Sequence, residues 1–137
     1  MIQRLSHTTL VVDDQQSAID FYVGKLGFDL RQDHDMGKWR WVTVSPKGQP
    51  DLEIVLMPVD GYPGVDDESR ESLRKLMRTG MLPAAVLQTA DCRKTYEELS
   101  AKGVQFRSEP KEQFYGVEAI IRDPFGNIFS LTQPARH

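Results

Sequence analysis

His7, Glu53, Glu118 and Arg122 stand out because each falls among apolar residues in a strand-like run. Every second side chain of a strand shares a face. Read this way, the apolar set Thr8, Leu10, Val12; Val42, Val44; Leu52, Ile54, Leu56; Ala85, Leu87; Val117, Ala119, Ile121; and Phe129, Leu131 marks the face covered by helices. The opposite face carries His7, Thr9 and Val11; Trp41 and Thr43; Glu53, Val55 and Met57; Ala84, Val86 and Gln88; Glu118, Ile120 and Arg122; and Ile128, Ser130 and Thr132. A face that sets a His, two Glu and an Arg among branched and aromatic residues has the make-up of a ligand-binding concavity. Glu53, flanked by Leu52 and Ile54, is costly to bury alone, and His7 is the partner on its face. Glu118 and Arg122 share one strand face, where they recognise a ligand's polar groups or neutralise each other. The expected ligand-binding set is Trp41, Gln88, Glu118, Arg122 and Ser130, with Trp41 as a pocket wall. Trp39, Tyr62, Phe114 and Tyr115 serve as rim aromatics, or as core or dimer packing.

The remaining reactive side chains read as bland. His34 lies in the polar run RQDHDMGK and is expected in solvent, and His137 ends the chain without a role. Cys92 follows Asp91 at a helix start, where the helix dipole can lower a thiol pKa, but no base accompanies it and a structural role is expected.

The elements that must position these residues come from an internal repeat. SHTTLVVDD near the start is matched by PAAVLQTAD, with Asp14 and Asp91 separated by 77 residues. Each Asp is a good N-cap. Apolar positions follow about a turn apart, Ile19, Tyr22 and Leu26 in one copy and Tyr96 and Leu99 in the other, and the helices run into Gly27 and Gly103. Strand-like GFDLRQD, WRWVTVS and LEIVLMP follow in the first copy, GVQFRSE, VEAIIRD and IFSLTQ in the second. The turns SPKGQPD and DPFGN both reverse direction with Pro and Gly. Each half therefore reads strand, helix, strand, strand, strand. The expected domain is one unit over 1–137, with module 1 at about 1–59, a connector with a helix at about 60–80 and module 2 at about 81–134. Leu73, Leu76 and Met77 form the connector helix's apolar stripe, docked on the core or held as a lid.

Composition narrows the partners. The 137 residues hold 17 Lys and Arg against 20 Asp and Glu, a formal charge of −3 with neither sign in a block, which argues against nucleic acid and anionic membrane. No apolar run approaches a spanning helix, no secretory signal is visible, and a single cysteine forms no internal disulfide, so a cytoplasmic location is expected.

SHTTLVVDD with SAIDFYVGKLGF, the DLEIVL strand, CRKTYEELSAKGVQF and the closing RDPFGNIFSLTQP together resemble the vicinal oxygen chelate superfamily, which includes glyoxalase I, bleomycin-resistance proteins, fosfomycin-resistance enzymes and extradiol dioxygenases. The resemblance implies a mixed α+β fold of two tandem βαβββ modules curled into an open eight-stranded cup. It also implies a small-molecule ligand or substrate and a homodimer. Metal enzymes of this superfamily take ligands from the first and last strand of each module, which points to His7 and Glu53. At an offset of 77 the second module has Ala84 and Ser130 in those places, leaving Glu118 as third ligand or general base. Two functions follow. One is a glyoxalase-like lyase, isomerase or dioxygenase using a divalent Zn, Ni, Mn or Fe ion, with Glu118 catalytic. The other is a metal-free binding protein of the bleomycin-resistance type, with no cofactor.

Overall fold

A computed structural model describes every residue except 62 and 137. The readings of Tyr62 as a rim aromatic and of His137 as functionless therefore lie outside the described residues. The chain divides into two compact units, Met1–Lys75 and Leu76–His137.

In the first unit, β1 (His7–Val12) leads into α1 (Gln15–Ile19), which continues as a π-helical stretch over Asp20–Lys25. β2 (Asp29–Asp35), β3 (Arg40–Ser45) and β4 (Glu53–Pro58) follow, in the sheet order β1-β4-β3-β2. β1 and β4 are parallel, and the other pairs are antiparallel. Asp14 caps α1 as expected, its carboxylate accepting the Gln16 and Ser17 N–H groups at 2.9 and 3.2 Å. The helix presses Ala18, Phe21 and Tyr22 inward, each 4% exposed or less, with the two rings edge to face at 4.9 Å. The sheet residues expected to face the helices, Leu10, Val12, Val42, Val44, Ile54 and Leu56, are all buried. Truncating the fully buried Leu56 to Ala belongs to the class of core changes costing about 2–5 kcal/mol.

The second unit repeats the plan. β5 (Leu82–Gln88), α3 (Cys92–Ala101), β6 (Gln105–Gln113), β7 (Gly116–Arg122) and β8 (Asn127–Pro134) give the order β5-β8-β7-β6, with β5 and β8 parallel. Asp91 caps α3 through the Lys94 N–H at 3.1 Å. Ala119, Ile121, Phe129 and Leu131 form the buried layer. Ala85 on β5 and Thr8 on β1, both expected on the helix-covered face, are exposed instead, each on the end strand of its sheet. Conversely Thr43, Val55 and Met57, on the mixed face, are buried.

The helix α2 (Asp67–Thr79) crosses the boundary between the units. Arg74 pairs with Asp60 at its first-unit end. At the other end Met77 is buried while Leu76 is half exposed, so the expected stripe is narrower than its sequence.

The turn before β8 is built on Asp123, only 2% exposed. Its Oδ1 accepts the Phe125 and Asn127 N–H groups at 2.9 and 2.8 Å, and Oδ2 accepts Asn127 Nδ2 at 2.8 Å. Gly126 in this turn has φ +93°, and a Cβ there would stand 2.1 Å from the Met77 carbonyl oxygen. Gly48 in the corresponding turn has φ +84° with open space around it. Gly48→Ala should therefore lose only the left-handed conformational cost, about 1 kcal/mol, whereas Gly126→Ala should lose more than about 3 kcal/mol. Urea unfolding of the two variants checks this; equal losses would contradict the packing of this turn against α2.

Candidate ligand-binding site

The parallel register of β1 and β4 puts His7 directly beside Glu53. His7 Nε2 is 3.5 Å from Glu53 Oε2, and His7 Nδ1 is 2.9 Å from the Ser6 hydroxyl. Glu53 Oε1 accepts the Thr43 hydroxyl at 2.6 Å and the Gln32 amide at 3.1 Å. The Thr43 hydrogen bond, then that from Gln32 and the nearby His7 and Arg31, hold the Glu53 carboxyl below its ordinary range against the opposing effect of burial. The expected pair is thus formed, in company the alternation alone did not supply. Gln32 reaches Glu53 because β2 bulges at Arg31: Leu30 pairs with Val44 and Gln32 with Thr43, leaving Arg31 without a rung. Arg31 turns away to Ser45 Oγ and the Pro50 carbonyl, at 3.1 and 2.9 Å. Trp41 stands beside the pair, its ring 6.2 Å from His7 and 6.1 Å from Trp39. His34 is exposed, as expected.

In the second unit Glu118 lies opposite Thr132 on β8 and Lys111 on β6. Its two oxygens accept the Tyr115 and Ser130 hydroxyls, both at 2.5 Å, and Ser130 Oγ is 2.7 Å from Thr132 Oγ1. The carboxylate beside it raises the Tyr115 phenol above its ordinary value, so Tyr115 keeps its proton and acts as a donor. Gln88 is Thr132's neighbour on β5. Glu118 and Arg122 do not neutralise each other. Four residues apart on one face, they are separated by about 13 Å, and the Arg122 guanidinium lies against Gly80 instead. Between them Pro83, Ala84, Val86, Ile120, Ile128 and Ser130 line an open, largely apolar concavity of about 380 Å³. Val86 is 70% exposed there.

The ladders correct the match of Ser130 to Glu53 that an offset of 77 predicts. Val44 pairs with Ile54, and its counterpart Ile121 pairs with Phe129, so the second connection is two residues shorter. The counterpart of Glu53 is therefore Ile128, not Ser130. Ile128 faces Pro83 on β5, and Ala84 is the extra residue of a bulge. Neither place in the second unit offers a metal ligand.

Among the described residues no group of three or more His, Cys, Asp and Glu is placed to hold a metal ion. His7 and Glu53 are two donors, where catalytic zinc takes three protein ligands. The other groups on Glu53, an alcohol and an amide, direct protons at it and stabilise the carboxylate without a cation. This donor set does not by itself fit a resident divalent ion. Cys92 is fully buried, its thiol donating to the Leu131 carbonyl at 3.4 Å, and burial pushes its pKa up, in keeping with the structural role expected.

The model of the Glyoxalase/Bleomycin resistance protein/Dioxygenase superfamily matches residues 4–131. The uncharacterized protein YurT of Bacillus subtilis strain 168 is 38% identical over 127 residues, covering 92% of this chain and 95% of its own. Among solved structures, UcmS2 is 45% identical with a TM-score of 0.90, covering 97% of this chain and 99% of its own. TnmS3, an antibiotic binding protein from Streptomyces sp. CB03234, is 32% identical with a TM-score of 0.76, covering 98% of each chain. With its two tandem modules of four-stranded mixed sheet, this chain belongs to the glyoxalase, bleomycin-resistance and dioxygenase superfamily, the vicinal oxygen chelate fold.

Proposed function

We propose that this protein binds and sequesters a small organic molecule without a resident metal. The observation that carries the reading is the concavity on the second sheet, floored by Val86, Ile120 and Ile128 and edged by Ser130. An exposed apolar floor with a few polar groups is the usual make-up of a small-molecule site. The likeness to TnmS3, itself an antibiotic binding protein, supports the same reading. The glyoxalase-like enzyme with His7, Glu53 and a catalytic Glu118 is the second reading, favoured by the 3.5 Å approach of His7 Nε2 to Glu53 Oε2. We also infer a homodimer, because β1 and β5 are each the end strand of a four-stranded sheet and such strands call for a partner. A cytoplasmic setting accords with the reduced, buried Cys92.

Four measurements test these statements. Val86→Asp changes an exposed floor residue, so the fold should survive while affinity for the apolar dye N-phenylnaphthylamine, followed by fluorescence, falls at least about tenfold. An unchanged affinity would place the ligand elsewhere. For the His7 and Glu53 pair, melting curves of wild type, His7→Ala and Glu53→Gln are recorded with chelator and with Zn²⁺, Ni²⁺, Mn²⁺ or Fe²⁺. Coincident curves for wild type under all conditions are expected, and an ion-dependent rise lost in both variants would establish the metal reading. His7 is 39% exposed, so His7→Ala should cost no more than about 1 kcal/mol. Because the folded Glu53 pKa lies below its ordinary 4.5, the stability it contributes is complete above that value and is lost as pH falls through the folded value. The wild-type advantage over Glu53→Gln should therefore be full at neutral pH and shrink in acid. Light scattering at micromolar concentration should give twice the chain mass, and a monomer mass would refute the dimer.

A further inference from the structure

We propose that the sheet of the second unit selects an elongated, mostly apolar molecule bearing an anionic group at one end and a hydrogen-bond donor, amine or hydroxyl, at the other. This rests on the small-molecule-binding reading above and names the ligand's chemistry.

The strand β7 sets the two ends. Arg122 and Glu118 share one face, about 13 Å apart, and Ile120 lies between them with Ile128 and Val86 alongside. At the first end two guanidinium groups meet one turn. Arg122 is exposed, and its side chain has no carboxylate partner and no hydrogen bond among the described residues. Its guanidinium occupies the space that a side chain at residue 80 would need, since a Cβ on Gly80 would lie 3.1 to 3.2 Å from it. Arg107, the bulged residue of β6, donates to the Gly80 carbonyl at 3.0 Å and touches Met81 Sδ. Two cationic forks without an acid between them match a carboxylate, sulfonate or phosphate. At the other end Glu118 has two of its roughly four acceptor positions filled by Tyr115 and Ser130. Lys111 lies opposite on β6 but is exposed and forms no ion pair with it among the described residues. The positions that remain accept only donors, and Gln88 and Thr132 border them. The floor between is too apolar to hold either polar group, so the ligand's own middle must be apolar.

Displacement of N-phenylnaphthylamine by undecanoic acid, undecylamine and ω-aminoundecanoic acid tests this on the full chain. The amino acid should displace the dye at about a tenth of the concentration that either single-ended compound requires. Arg122→Gln, an exposed change, should raise the concentration needed for both acids about fivefold and leave undecylamine unaltered. Glu118→Gln, of equal size, should weaken both amines and leave undecanoic acid unaltered. Equal displacement by all three compounds, or no effect of Arg122→Gln on undecanoic acid, overturns the ligand class while dye binding keeps the binding reading standing. Failure of the wild-type protein to bind the dye overturns both.

Discussion

The parallel pairing of the first strand of each unit with its last holds the rest of the architecture in place. β1 joins β4, and β5 joins β8, across the whole length of a unit. A parallel pair needs a long crossover, and here that crossover contains the helix and two further strands. The pairing turns a chain segment with few local contacts into a sheet edge and brings side chains distant in sequence onto neighbouring rungs. His7 meets Glu53 only through it.

Small irregularities on that shared frame separate the chemistry of the two units. Both second strands bulge at an arginine, Arg31 in one unit and Arg107 in the other. The first bulge turns Gln32 toward Glu53 while Arg31 leaves for Ser45 and Pro50. The second sends Arg107 to the Gly80 carbonyl. The shorter connection before β8 then places Ile128 where Glu53 stands in the first unit. One repeat thus yields a hydrogen-bonded carboxylate with a histidine in one half and an apolar floor in the other.

Both carboxylates of the mixed faces are satisfied chiefly by neutral donors. Glu53 takes a hydroxyl and an amide, and Glu118 takes two hydroxyls. Neutral donors of this kind leave acceptor capacity free, whereas a close arginine partner would consume it. Such groups orient a ligand by demanding its donors, and the apolar residues around them supply the contact area.

Much of this was legible from the residues. Asp14 and Asp91 announced helix starts because a short carboxylate accepts the first free N–H groups, a local effect. Alternation assigned Val42, Val44, Ile54 and Ile121 to the buried layer, since a strand's period is fixed by its backbone. The repeat and its superfamily likeness gave the order of elements and the nearness of His7 to Glu53. What alternation could not contain was register. A bulge or a shortened turn leaves composition and periodicity nearly untouched, yet it moves the following residues along the sheet by a rung or more. For that reason the repeat offset alone pairs Ser130 with Glu53, whereas the ladders place Ile128 there. Gln32 as a partner of Glu53 and Arg122 against Gly80 are likewise decided by tertiary structure. Each depends on where a strand's neighbour begins, which is set by packing across the sheet and by no local property of the chain.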